Sequence, residues 1–78
     1  MEQVVIFTNV GCSACHQAIA YFERNEIPFV ERNIADDPVA RDELLSRGFR
    51  ATPVIQVGNE TMVGFSEPKI RKMLGLVK

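Results

Sequence analysis

The hydrophobic positions of the chain change period several times, and each change marks an element. Gln3 to Thr8 (QVVIFT) is a short run of β-branched and aromatic residues closed by Asn9-Val10-Gly11, which predicts a strand buried on both faces. From Ser13 the apolar residues Ala14, Ala18, Ile19 and Phe22 recur at helical spacing, with Gln17, Glu23 and Arg24 between them, until Asn25 and the Ile27-Pro28 step end the helix. Phe29 to Ile34 is the next expected strand, broken in its apolar character by Arg32. Asp36-Asp37-Pro38 then reads as a capping Asp followed by Pro at the first helical position, with Ala40, Leu44 and Leu45 facing inward until Gly48. Pro53 to Val57 and Thr61 to Val63 flank Gly58-Asn59 and predict a hairpin. Ser66 is placed to cap a last helix whose inner face is Ile70, Met73 and Leu74, with Lys69, Arg71 and Lys72 outside and Gly75 beyond it.

The order strand, helix, strand, helix, hairpin, helix predicts an α/β fold, a βαβ unit followed by a ββα unit. The helices cover one mixed sheet of about four strands. With 78 residues the chain is expected to form one domain, 1–78. Apolar types make up 46% and charged types 24%, the balance of a folded globular chain rather than a disordered one. Nine Lys and Arg against ten Asp and Glu, with no basic run, remove the electrostatic footprint of a nucleic-acid binder. No apolar stretch approaches the roughly 20 residues of a membrane span, and Met1-Glu2-Gln3 lacks the basic start of a signal peptide, so a cytoplasmic location is expected.

The two cysteines change this picture. A core of fewer than about 80 residues rarely supplies more than 3–5 kcal/mol, so a structural bridge would be useful here. Cys12 and Cys15, however, lie three apart, and closing so short a loop returns only about 2 kcal/mol. Chemistry is the better reason for them. Residues three apart on a helix hold their Cβ atoms about 5–6 Å apart and a disulfide wants about 3.5–4.5 Å, so a small contraction closes the bond. A sulfur at or just before the first helical position lies beside unpaired N–H groups and the positive end of the helix dipole, which favours the thiolate. Cys12 is thus the expected nucleophile. Cys15, one turn in and more buried, is the expected resolving thiol. Other uses of the pair remain open at this point: core cysteines without chemistry, haem attachment through Cys12-Ser13-Ala14-Cys15-His16, or half of a zinc site that needs two further ligands. His16, four positions after Cys12, could share its helical face, but solvent exposure is the commoner outcome in a first turn and it is left out of the catalytic set.

Cys12-Ser13-Ala14-Cys15 after the strand Val4 to Thr8, then Gly48-Phe49-Arg50-Ala51-Thr52-Pro53-Val54, then Gly64-Phe65 before a helix with Pro68 and Ile70, resembles the glutaredoxin-like redoxins, particularly the NrdH type. The likeness covers nearly the whole chain. It implies a thioredoxin fold of four strands and three helices, a cis proline at Thr52-Pro53 facing the cysteines, and transfer of reducing equivalents to protein disulfides. NrdH redoxins take electrons from thioredoxin reductase and pass them to ribonucleotide reductase, while glutaredoxins use glutathione. The resemblance therefore implies one of these reductants, no metal, no bound organic cofactor, and a monomer. A rival implication is a cluster-binding module, because Ser13 stands where many glutaredoxins have proline and some family members hold an iron–sulfur cluster between two subunits. Asn9 replaces the basic residue usual a few positions before the first cysteine, and Ser66-Glu67 follow Gly64-Phe65 where NrdH redoxins typically have Arg.

Thr52-Pro53 by itself reads as an ordinary strand start, since only about 5–6% of X-Pro bonds in folded proteins are cis. The resemblance reverses that and turns the Thr52 backbone toward an extended substrate. Gly64 would let a substrate backbone approach closely or simply serve the hairpin. Phe65 has both a core reading and a recognition reading, the first being commoner. Thr52, Pro53, Gly64 and Phe65 together are the expected substrate-binding set.

Overall fold

The structure is a computed structural model that describes residues 3–75. Its elements are β1 (Val4–Thr8), α1 (Ser13–Arg24), β2 (Val30–Asn33), α2 (Pro38–Ser46), β3 (Val54–Val57), β4 (Glu60–Val63) and α3 (Glu67–Met73). The sheet has four strands in the order β2-β1-β3-β4, with β1 parallel to β2 and antiparallel to β3, and β3 antiparallel to β4. This is the thioredoxin fold, reached through the expected βαβ and ββα units.

Side-chain alternation along β1 divides the core in two. Val4 and Ile6 point to one face, where they meet Ala18, Tyr21 and Phe22 of α1, Ile70 of α3, and Ile55, Val57 and Met62 of the hairpin. Phe7 points to the other, where it meets Ala40 and Leu44 of α2 and Val54. The register agrees, since Ile6 sits opposite Ile55 and Ile55 opposite Met62, while Phe7 sits opposite Val54. Central β1 is buried on both faces, as its composition predicts.

The differences from expectation lie at edges and ends. β1 starts at Val4 rather than Gln3, and β2 loses Phe29 and Ile34 from the expected run. β2 is an edge strand with half its residues exposed; Phe29 instead turns its ring onto Phe22 at 5.5 Å. Leu45, expected inside, is 49% exposed, because Ala40 and Leu44 one turn apart already form the stripe that a nine-residue helix can bury. The hairpin strands are Val54–Val57 and Glu60–Val63, so Pro53 precedes the ladder and Glu60 joins it. Asp37 caps α2 through its carboxylate, which accepts from Ala40 N–H at 3.1 Å, with Pro38 following it as expected. Ser66 occupies the corresponding position of α3, but its hydroxyl makes no cap hydrogen bond. In α3 only Ile70 is fully buried, with Met73 and Leu74 packed at the cluster margin. No helix among the described residues is long and apolar enough to cross a membrane.

Candidate active site

Two loops meet at Cys12, one leaving β1 and the other leading into β3, the two central strands. The first runs from the end of β1 through Asn9-Val10-Gly11; Gly11 takes φ 71°, a left-handed conformation that turns the chain into α1 and that a side chain would resist. Asn9 spends its side chain inside this loop, its Oδ1 accepting from Val10 N–H at 2.8 Å. Cys12 then occupies the N-cap of α1 with an extended backbone, and its Sγ accepts from Cys15 N–H at 3.2 Å. A sulfur thereby takes the place of the Ser or Asp oxygen that usually satisfies this orphan donor. Cys12 and Cys15 are joined as a disulfide with Cα atoms 5.2 Å apart, Cys12 half-buried and Cys15 only 2% exposed.

The second loop brings Thr52, whose peptide bond to Pro53 is cis, as the resemblance implies. Thr52 Oγ1 donates to Cys12 Sγ at 3.6 Å. The residue was expected to act through its backbone, and nothing in the sequence pattern assigns its hydroxyl to the sulfur. Pro53 is fully buried, and its carbonyl accepts from Gly64 N–H at 2.7 Å. That bond ties the end of the hairpin to the Thr52-Pro53 loop. Gly64 has φ 83° with open space where a β-carbon would stand, so backbone conformation, and no crowding, accounts for the glycine. Phe65 turns its ring onto Tyr21, centroids 5.7 Å apart, and belongs to the margin of the larger core cluster. Of the expected set, Thr52, Pro53 and Gly64 form a bonded chain ending at Cys12, while Phe65 supports it from within.

His16 is exposed and meets Cys12 only through the helix bond from its own N–H to the Cys12 carbonyl at 3.2 Å. Val10, which the hydrophobic pattern passes over, is 77% exposed two residues before Cys12 and gives the rim an apolar side chain. Thr8 and Glu31, also passed over, line a cavity together with Cys15. Among the described residues no three His, Cys, Asp or Glu side chains are grouped as a metal site.

A glutaredoxin family model matches residues 4–62, which takes in both cysteines, the cis-proline loop and most of the hairpin. The chain belongs to the glutaredoxin family. A glutaredoxin-like 8.6 kDa protein in the rubredoxin operon of Clostridium pasteurianum is 31% identical over 72 residues, covering 91% of this chain and 96% of that protein. The global transcriptional regulator Spx of Bacillus subtilis is 46% identical over 41 residues, 53% of this chain, and the match spans only 31% of Spx. Among solved structures, the glutaredoxin-like NrdH-redoxin from Escherichia coli superposes with a TM-score of 0.82 at 28% identity, over 90% of this chain and 92% of that one. The thioredoxin-like protein BC3987, in its T8A mutant, superposes with a TM-score of 0.89 at 22% identity over 99% and 100%, a likeness of fold. This family member carries its Cys12–Cys15 pair, three positions apart, at the start of α1.

Proposed function

We propose that this glutaredoxin-family protein is an NrdH-redoxin-like electron carrier that passes reducing equivalents to protein disulfides, with Cys12 as nucleophile and Cys15 as resolving thiol. The observation that carries the reading is the asymmetry of the two sulfurs. Cys12 is half-buried and its Sγ accepts from the Cys15 N–H and the Thr52 hydroxyl, while Cys15 is buried one turn below. Hydrogen bonds to sulfur favour its charged form, so the reduced Cys12 is the readier thiolate and the better leaving group.

In the first half-reaction the Cys12 thiolate attacks a substrate disulfide, forming a mixed disulfide and expelling one substrate thiolate. Cys15 then attacks Cys12 Sγ, forming the Cys12–Cys15 bond and releasing the second substrate thiol. Thr52 precedes β3 and its backbone makes no hydrogen bond within the described residues, which leaves it able to pair with an extended substrate strand. Val10 and Gly64 would border that strand. The protein works as a cytoplasmic monomer without a bound organic cofactor, reduced in turn by thioredoxin reductase or glutathione.

Cys12→Ser should abolish disulfide reduction, and Cys15→Ser should accumulate a covalent substrate adduct visible by non-reducing electrophoresis. Adduct on the Cys12 variant instead would reverse the roles. Offering the oxidised protein either thioredoxin reductase or glutathione with its reductase identifies the donor, and reduction only by glutathione would overturn the NrdH-like part of the reading. Visible absorbance with dimeric elution after anaerobic purification would favour the cluster-binding alternative.

A further inference from the structure

The end of α1 and the helix α3 leave a groove between them that neither the core nor the disulfide accounts for. A cavity of about 320 Å³ is lined there by Tyr21, Arg24, Asn25, Glu67 and Arg71. A second, of about 470 Å³, shares Glu67 and Arg71 with it and adds Pro68 and Lys72. Three cations thus stand against one carboxylate, and the neighbouring Glu23 and Glu26 line neither cavity. Among the described residues the ion pairs belong to Arg32 and Arg47, and Arg24 and Arg71 take part in none. Tyr21 supplies a second and independent sign. It is only 3% exposed, yet its hydroxyl makes no hydrogen bond among the described residues. No polar side-chain atom there is sealed from water without a partner, so the hydroxyl opens outward, and the groove is the cavity that Tyr21 lines. Arg24 lies over the Tyr21 ring with its Cζ 5.9 Å from the centroid. A hydroxyl and two guanidinium groups therefore converge on one space, all of them donors with nothing in the chain to donate to. The group that complements them is an oxyanion, and the planar fork of arginine suits a carboxylate best.

The groove is continuous with the reaction site. Phe65 lays its ring on Tyr21, centroids 5.7 Å apart, and directly follows Gly64, whose N–H is bonded to the Pro53 carbonyl. Exposed Ser66 then leads to Glu67 at the groove itself. From Cys12 to Tyr21 the chain takes nine helical steps, about 14 Å along α1. An extended strand covers that length in about four residues. We infer that the groove between α1 and α3 receives an Asp or Glu side chain of the protein substrate, about four residues from the cysteine that Cys12 attacks. The inference rests on the dithiol reading above and names its substrate class: disulfides flanked at that distance by an acidic residue. The substrate carboxylate accepts from Arg24, Arg71 and the Tyr21 hydroxyl, with Lys72 adding to the positive balance. Glu67 weakens that balance without cancelling it.

The test is single-turnover reduction, by the reduced full chain, of symmetric disulfides of short peptides that contain no aromatic residue and differ only in Glu or Gln at the fourth position before or after the cysteine. At one of these placements the Glu peptide should be reduced about fivefold faster than its Gln counterpart, the most that an exposed ion pair supplies. The advantage should fade as salt rises from about 0.05 M to 1 M. Arg24→Gln and Arg71→Gln should each lower the Glu-to-Gln ratio and together bring it to one, and Arg71→Glu should favour a Lys peptide over the Glu peptide. Arg41→Gln, an exposed cation of α2 across the sheet, should keep the wild-type ratio. Tyr21 is the one tyrosine of a chain without tryptophan, so its fluorescence reports on the groove. An unreactive peptide with Ser in place of the cysteine should change that fluorescence when it carries Glu, and leave it unchanged when it carries Gln. A wild-type ratio of one at both placements would overturn the inference. So would a ratio that survives the double variant, or tyrosine fluorescence that does not respond to the Glu peptide. Wild-type protein that reduces neither peptide, or Cys12→Ser protein that reduces both, would instead overturn the dithiol reading itself.

Discussion

The two faces of the sheet are held by different means. On the α1 and α3 side the contacts are large and apolar: Tyr21, Phe22 and Ile70 against Ile6, Ile55 and Met62, with Phe29 and Phe65 extending the aromatic cluster. On the α2 side the buried apolar cluster shrinks to Phe7, Ala40, Leu44 and Val54, with Val5, Ile34 and Phe49 at its margin, and half-exposed charges lie beside it. Arg32 lies over the Phe7 ring, 5.5 Å from its centroid, donates to Glu43 at 2.7 Å and reaches Asp37 at 3.7 Å. Arg47 reaches the same Glu43 at 3.5 Å and donates to Gln56 of β3 at 2.9 Å. The hydrogen bond with Glu43 raises the already high pKa of the Arg32 guanidinium, so the arginine end of this network stays charged. Interactions of this kind are screened by water and salt, whereas burial of an aromatic ring is not. The face that carries the disulfide is thus the better anchored, and α2 is a lighter cover on the opposite side.

The strongest way to break this comparison is to empty each cluster in turn. Phe22→Ala should cost about 3–5 kcal/mol, close to the whole stability of so small a domain, and thermal melting by circular dichroism should show a largely unfolded chain at room temperature. Leu44→Ala should cost about 2 kcal/mol, near the low end for such truncations, and leave disulfide reduction intact in the folded fraction. Equal losses from the two would mean the faces are not unequal. At the site, changes should move the chemistry with little effect on melting. Thr52→Val removes one donor to Cys12 and should raise the thiolate titration, followed by ultraviolet absorbance, by somewhat under one pH unit, the equivalent of about 1 kcal/mol. Asn9→Lys should lower the same titration by less, because the position is exposed and a cation there is screened. Smallest of all, Glu43→Gln should lower the melting temperature less than Leu44→Ala, and the loss should fade as salt rises from about 0.1 M to 1 M.

Where local chemistry decides structure, the sequence was readable. The QVVIFT run, the Asp37-Pro38 cap and the Asn25 stop of α1 all act through neighbours in the chain, and the elements they mark stand within a residue of where they were expected. The misread positions depend on what lies across space. Phe29 leaves β2 because Phe22 offers its ring a better neighbour than an edge strand does, and Leu45 faces solvent because a short helix has room for one stripe. The same division holds at the site. The Cys12-x-x-Cys15 spacing is a local signal, but the Thr52 hydroxyl reaches its sulfur across forty positions, and Thr8 meets Glu31 only through strand pairing. A threonine at the end of an apolar strand carries no mark of the partner beside it.

The strand order has a consequence for how the molecule breathes. Strands β1 and β3 are paired on both sides, whereas β2 and β4 each leave one edge to water. Amide hydrogens of the inner pair should therefore exchange with solvent only when the whole domain opens, while the outer strands and α2 exchange through smaller and more frequent openings. The loop that delivers Cys12 leaves β1, and the loop that delivers Thr52 enters β3. Both sides of the sulfur contact thus hang from adjacent strands on the slowest-exchanging part of the sheet, and fraying of the edges or release of α2 passes without disturbing the distance between them.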